Sequence, residues 1–207
     1  MVNNPEIWMQ YLASRDEKLK ALINYFGVIK LDSRKPKFED FCRIIVSQQL
    51  SNAAADTIFS RIKQLETQGN CLQSATITET DPHQLRKCGV STAKAAYIQA
   101  AAARLIDDPN LLDRITNLSD EDTFNELLSF KGIGPWSAQI FQLSVLGREN
   151  IFPSGDATLA RAIERLYGLD INIDALTYSK MLKIWSPYKS FVAKYLWAWI
   201  DHGEPKI

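Results

Sequence analysis

The sequence predicts an all-α fold, and three observations support this prediction. Apolar residues recur at intervals of three and four along nearly the whole chain of 207 residues, which is the period of an amphipathic helix. Residues that favour helix starts precede these runs, and glycines stand where several runs end. No alternating apolar and polar run is long enough to indicate a β-strand. The pattern indicates about nine or ten helices in two lobes.

The first strong helix is expected after Ser14, which forms a capping-box spacing with Glu17. Gly27 is expected to end this helix. The next two helices are separated by the segment SQQLSN, which interrupts the apolar pattern and predicts a turn. The apolar stripes of these three helices are Leu19, Leu22, Ile23 and Phe26, then Phe38, Phe41, Ile44 and Ile45, then Ala55, Ile58, Phe59 and Ile62.

Further helices are expected in the second half of the chain. Ser91, Ser119 and Asp156 favour the N-cap position, and Ser186 before Pro187 matches the cap and first-turn proline of a last helix. The segment WSAQIFQLSVL is apolar on almost every side, which predicts a buried helix. The other stripes are Tyr97, Ile98 and Leu105, then Phe124, Leu127 and Leu128, then Leu159, Ile163 and Leu166, then Val192, Leu196 and Trp199.

The composition narrows the classes of function. Hydrophobic residues make up 46% of the chain, which is enough for a core, and no uncharged apolar stretch is long enough to span a membrane. Cys42, Cys71 and Cys88 are an odd number without close spacing, which favours a reducing, intracellular compartment and provides no four-cysteine set for an iron–sulfur cluster. The N-terminus lacks the pattern of a signal peptide.

The charge of the chain argues mildly against a nucleic-acid partner. Lys plus Arg and Asp plus Glu both number 24, so the net charge is zero, whereas nucleic-acid binders are usually basic. Segregated charges would remove this objection. If the chain binds DNA, we expect a local basic face to which Lys131, Arg161 and Lys189 contribute. The acidic residues expected to lie elsewhere are Glu121, Asp122 and Asp170.

The stretch SFKGIGPWSAQIF places Gly132 and Gly134 two residues apart and follows them with Pro135. Glycine offers no side chain to a core, so this spacing indicates a need for bare backbone. The connection is short, which predicts a hairpin between two helices. Amides at the start of the second helix attract anions through free donors and the helix dipole, and a nucleic-acid phosphate fits such a site. A plain helix–helix turn is the alternative.

Five segments, in their order and spacing, resemble the helix–hairpin–helix DNA glycosylases. They are IIVSQQLSNAAADTI, LRKCGVSTAKAAYI, FKGIGPWSA, FPSGDATLARAIERLYG and WSPYKSFVAKYLWAW. The resemblance covers about Phe38 to Ile200 and is strongest to 3-methyladenine DNA glycosylase II, in a form without the N-terminal β domain. It implies a two-lobed helical fold with the active site in the cleft between the lobes. The middle lobe would span about 38–147, and 1–37 plus 148–207 would form the second lobe.

The resemblance also assigns roles to the backbone of the hairpin. The amides that would hold a DNA phosphate belong to Gly132, Gly134 and Ser137. The carbonyls that would hold a monovalent cation, Na⁺ or K⁺, belong to Leu128, Phe130 and Ile133. Lys131 lies beside these groups in the sequence and is expected to contact DNA.

The segment SQQLS corresponds to the turn that enters the duplex when a nucleotide is rotated out of it. Gln49 matches the residue that fills the vacated space, and Gln48 and Leu50 flank it. A glutamine there would also hydrogen-bond the orphaned base. The alternative is that Leu50 packs into the core and the glutamines form a solvated helix break.

Asp156 corresponds to the catalytic carboxylate of the family. It would stabilise the positive charge that develops on the sugar as the base leaves, and would also orient the attacking water. A role as N-cap alone is the alternative, although the two roles are compatible. Trp136 and Trp197 correspond to aromatic residues of the base pocket, and Tyr195 is a weaker candidate. Ile140 replaces a pocket aromatic of the family, which suggests a pocket of different shape.

The function that the resemblance implies is excision of alkylated purines from double-stranded DNA, 3-methyladenine first and 7-methylguanine second. Members that also cut the strand carry a nucleophilic lysine at the position of Trp136, so a monofunctional enzyme that leaves an abasic site is expected. The alternatives are the same fold acting on deaminated or oxidised bases, and a DNA-binding protein without catalysis. No catalytic cofactor is expected, nor an obligate oligomer. The expected location is the nucleoid of a prokaryote or the nucleus of a eukaryote.

Overall fold

A computed structural model describes residues 4–67, 69, 71–169 and 175–207, so Asp170 lies outside the described residues. Within these ranges the chain forms thirteen α-helices and no β-strand, which confirms the predicted all-α fold. None of the described helices combines the length and apolar character that a membrane crossing requires.

The chain divides into two compact units. The middle unit is Arg34–Leu146, and the terminal unit combines Met1–Ser33 with Gly147–Ile207. The middle unit holds α3 (Phe38–Ser47), α4 (Asn52–Lys63), α5 (Ser74–Glu79), α6 (Pro82–Lys87), α7 (Thr92–Asp107), α8 (Leu111–Asn117), α9 (Asp120–Leu128) and α10 (Pro135–Ser144). The terminal unit holds α1 (Pro5–Ala13), α2 (Glu17–Phe26), α11 (Ala157–Tyr167), α12 (Ala175–Trp185) and α13 (Lys189–Asp201).

The structure contains more helices than the sequence pattern predicts. Helices α5 and α6 have six residues each and α8 has seven, which is too short to display two turns of apolar periodicity. Helices α1 and α12 were also not predicted. The stripes that the periodicity does identify are buried or half-buried in the structure, so they form the cores of the two units.

The predicted caps at Ser91, Ser119 and Asp156 are confirmed, whereas the predicted capping box at Ser14 is wrong. Asp16 caps α2, because its Oδ1 accepts the backbone amides of the second and third helical residues at 3.0 and 3.1 Å. Ser14 instead follows the last residue of α1.

The predicted start of the last helix at Ser186 is also wrong. The Ser186 amide donates to the carbonyl of Leu182 at 3.2 Å, so this residue ends the turn that follows α12. Helix α13 begins at Lys189 instead, after Tyr188. A serine before a proline is therefore not a sufficient signal of a helix start.

Candidate functional site

The hairpin that joins α9 to α10 contains two glycines that meet different requirements. Gly132 has a φ of +86°, and a Cβ at this residue would approach the ring of Tyr97 to 2.2 Å. Gly134 has a φ of −94° and extended backbone, and a Cβ there would meet nothing within 4 Å. The chain itself therefore requires glycine at 132, while nothing in the fold fills the space beside 134.

The N-terminus of α10 is exposed and carries no side-chain cap among the described residues. Gly134 occupies the N-cap position and has no side chain with which to accept the first amides of the helix, and Pro135 lacks an amide. Lys131, Gly134 and Pro135 are all exposed. The start of α10 thus combines accessible backbone with the positive end of a helix dipole, which is the arrangement that binds anions.

Gln48 holds the hairpin from the end of α3. Its Nε2 donates to the carbonyl of Gly132 at 2.8 Å and to Oγ of Ser137 at 3.0 Å. Gln48 is half-buried and its Nε2 is used within the middle unit, so the expectation that this residue contacts DNA stays a prediction. Ser137 is buried as a whole residue, with 3% of its surface exposed.

The wedge turn, which we define as residues 47–51, presents two side chains to solvent. Gln49 is exposed and has a φ of +56°, which is uncommon for a residue with a Cβ. Leu50 is 41% exposed, so the alternative that it packs into the core is wrong. The turn therefore offers one polar and one apolar side chain for contact with a partner.

Asp156 is the N-cap of α11 in the terminal unit. Its Oδ1 accepts the amides of Thr158 and Leu159 at 2.9 and 3.0 Å, and the indole Nε1 of Trp197 donates to the same oxygen at 3.3 Å. The carboxylate is half-buried. The amides and the indole fix the orientation of the carboxyl group, so capping and a chemical role are compatible at this residue.

Tyr178, on α12, belongs to the surroundings of Asp156 and was missed by the sequence analysis. Burial raises the pKa of Tyr178, a hydrogen bond with Ser154 opposes this, and the charge of Asp156 raises it further. Its ring meets that of Phe152 edge to face, with 6.2 Å between the centroids. The sequence analysis did not predict α12, so it named no residue of that helix.

The aromatic residues proposed for the base pocket differ in their exposure. Trp136 and Ile140 are half-buried and stand four residues apart on α10, so they share one face of that helix. Trp197 is half-buried beside Asp156. The prediction for Tyr195 is wrong, because its side chain is fully buried and its hydroxyl donates to the carbonyl of Gly27 at 2.6 Å. Burial raises the pKa of Tyr195 to about 12.

The charges around the hairpin are mixed, so the expected basic face stays a prediction. Lys131 is exposed in the hairpin, whereas Arg104, which donates to Oγ of Ser129 at 2.7 Å, also forms an ion pair with the acidic Glu126. Glu121 and Asp122 stand in the first turn of α9, about 12 Å along the helix from the hairpin. In the terminal unit, Arg161 is exposed and Lys189, the first residue of α13, is half-buried.

Comparison with known proteins shows which family carries this arrangement. The model of the HhH-GPD superfamily of base excision DNA repair proteins matches residues 42–187. The chain belongs to this superfamily. The matched region includes the wedge turn, the hairpin and Asp156.

Individual HhH-GPD relatives and their structures agree with this assignment. The chain is 29% identical over 192 residues to the alkylbase DNA glycosidase-like protein mag2 of Schizosaccharomyces pombe, covering 91% of this chain and 90% of that protein. It is 27% identical to DNA-3-methyladenine glycosylase 1 of the same yeast, covering 90% and 84%. The structure of the yeast 3-methyladenine DNA glycosylase Mag1 in complex with abasic DNA superimposes with a TM-score of 0.84 at 26% identity, covering 97% of this chain and 99% of that one.

Proposed function

We propose that the chain is a monofunctional DNA glycosylase that hydrolyses the N-glycosidic bond of alkylated purines, 3-methyladenine first and 7-methylguanine second. The observation that carries this proposal is the carboxylate of Asp156, held by two amides and an indole in a member of a base excision repair superfamily. The similarity to proteins named for alkylated bases and for 3-methyladenine supports this substrate class over deaminated or oxidised bases.

Asp156 supplies the chemistry in this proposal. Cleavage of the bond between sugar and ring nitrogen leaves positive charge on the sugar, and a fixed carboxylate beside it lowers the energy of that state. The alkylated purine leaves with the electrons of the broken bond, and water adds to the sugar carbon and releases its extra proton to bulk water. Because the alkylated base is already cationic, it is a good leaving group and needs little protonation.

The hairpin binds the DNA backbone in this proposal. The amides of Gly132, Gly134 and Ser137 hold one phosphate of the damaged strand at the exposed start of α10, and Lys131 adds a positive charge beside it. The open space beside Gly134 supports this role, because a backbone group must approach a phosphate closely to donate a hydrogen bond.

The carbonyls of Leu128, Phe130 and Ile133 fit a monovalent cation. Leu128 ends α9, where helix carbonyls lack helical partners, and the Phe130 carbonyl accepts the Ile133 amide at 3.0 Å but retains a second lone pair. Neutral oxygens suit a singly charged ion, and bound Na⁺ or K⁺ would add positive charge toward the DNA.

We expect weaker DNA binding in tetramethylammonium salts than in potassium salts of equal ionic strength, and equal binding would contradict the site.

The wedge turn and the aromatic residues complete the proposal. Gln49 and Leu50, both exposed, fill the space of the everted nucleotide. Trp136 in the middle unit and Trp197 in the terminal unit each offer an aromatic ring of the kind that stacks on a cationic base. Ile140 shares the helix face of Trp136 and shapes the same pocket wall. Trp136 offers no amine to attack the sugar, so no Schiff base forms and the strand stays intact.

Incubation with methylated DNA tests the function and its chemistry together. We expect chromatography to detect free 3-methyladenine, with 7-methylguanine released more slowly. We also expect the DNA strand to break only after alkali treatment, and borohydride to trap no covalent complex, because an indole cannot form a Schiff base. Tight binding without any base release would instead identify a non-catalytic DNA-binding protein, and trapping by borohydride would refute the monofunctional mechanism.

A further inference from the structure

The wedge turn, the hairpin and helix α7 meet at Gln48 in the middle unit. The proposed functions use the exposed parts of the first two elements, but they leave the contacts beneath them unexplained. These contacts involve Gln48, Lys94 and Tyr97, and none of the three side chains was expected to hold other parts of the site together.

Lys94 fixes the start of the wedge turn. Its Nζ donates to the carbonyls of Val46 and Gln48 at 2.9 and 2.7 Å. These carbonyls lie at the C-terminal end of α3, where helix carbonyls lack helical partners and a cation is favourable. Burial lowers the pKa of Lys94, and its half-buried ammonium has two backbone carbonyls as hydrogen-bond partners.

Helix α7 also contacts the hairpin. Tyr97 follows Lys94 by three residues and so lies on the same side of the helix, and its ring occupies the place where a side chain at position 132 would stand. Gln48 then closes the arrangement, because its amide donates to the Gly132 carbonyl and to Ser137 Oγ. Each of the three elements is thereby fixed to the other two.

We propose that Gln48 and Lys94 are positioning residues that couple the phosphate-holding hairpin to the wedge turn. Through Gln48 and Lys94, the turn that inserts Gln49 or Leu50 keeps a fixed position relative to the phosphate bound by the hairpin. The left-handed φ of Gln49 agrees with this role, because a non-glycine residue keeps such a conformation only where its surroundings hold it. The inference rests on the proposed base excision.

The variant Gln48→Met tests the coupling, because it keeps the size of the side chain and removes the amide donors. The same lesion is placed in a fully paired duplex and in a mismatched duplex, where a nucleotide is everted at lower cost. We expect the single-turnover excision rate to fall on the order of 10- to 100-fold in the paired duplex. The fall should be much smaller in the mismatched duplex, and the affinity for abasic DNA should stay near that of the wild type.

Lys94→Met should reproduce this pattern, and Lys94→Arg should restore part of the paired-duplex rate because it keeps the charge and the donors. Gln99→Met is the matched control, since Gln99 lies on the same helix and its amide also donates to a backbone carbonyl, that of Thr80, at 2.9 Å. Gln99→Met should not change the ratio of the two rates.

The outcomes separate this proposal from the function on which it rests. An equal loss on both duplexes, no loss on either, or the same ratio change in Gln99→Met would overturn the coupling. If the wild type releases no base from methylated DNA, the proposed function fails, and this result is obtained before any variant is compared.

Discussion

Asp156→Asn is expected to lower the rate of base release on the order of a hundredfold or more while leaving DNA affinity largely intact. Asparagine keeps the side-chain oxygen that caps α11 through the amides of Thr158 and Leu159, so the fold is retained. It loses the negative charge that stabilises the sugar. The measurement is the single-turnover release of methylated bases at saturating enzyme, together with binding to abasic DNA.

Asp16→Asn is a closely matched control within the same unit. Asp16 also caps a helix through two amides, and its other oxygen accepts the indole Nε1 of Trp185 at 3.0 Å and the hydroxyl of Tyr167 at 2.6 Å. We expect this variant to lower the melting temperature. In asparagine an NH₂ group replaces one carboxylate oxygen, and it cannot accept the hydrogen bonds from Trp185 and Tyr167. The folded protein should still release bases at the wild-type rate. Persistent activity in Asp156→Asn would refute the catalytic assignment.

Gly134→Ser is expected to weaken DNA binding on the order of tenfold or more, a loss typical of one charge-assisted hydrogen bond. A serine hydroxyl at the N-cap accepts hydrogen bonds from the amides that would otherwise bind the phosphate. It also fills the open space beside this residue. Serine is also a better N-cap than glycine, so the melting temperature should stay the same or rise. Stability and DNA affinity therefore change in opposite directions.

Gly132→Ala provides the contrast within the same hairpin. Its Cβ would collide with the ring of Tyr97, and a φ of +86° is strained for alanine, so we expect a loss of about 1–3 kcal/mol or more in the free energy of unfolding. Denaturant unfolding measures this loss. If Gly134→Ser lowered stability as much as Gly132→Ala while DNA binding stayed unchanged, the glycines would form only a tight turn.

The parts of the site that depend on local backbone were predictable from the sequence. Two glycines before a helix, and an aspartate at a helix start, carry their conformational meaning in a few neighbouring residues, and the structure places Gly134 and Asp156 at N-caps. The different reasons for the two glycines were not predictable, because the need for glycine at 132 comes from Tyr97 on another helix.

Side-chain roles that depend on tertiary packing could not be predicted from the sequence in this way. Gln48 and Gln49 are identical neighbours in the sequence, yet one turns inward to the hairpin and the other is exposed. Tyr195 and Trp197 are two residues apart on α13, and only the second reaches Asp156. A family pattern aligns positions, whereas the direction of each side chain is set by the elements packed around it.

The central claim is that the hairpin binds the DNA backbone while Asp156 drives base release. Its most direct test measures the dissociation constant for abasic DNA and the excision rate at saturating enzyme in wild type, Gly134→Ser and Asp156→Asn. We expect Gly134→Ser to raise the dissociation constant with a nearly unchanged saturated rate. Asp156→Asn should leave the dissociation constant near the wild-type value and nearly eliminate the rate. Equal effects of both variants on both quantities would contradict this division of roles.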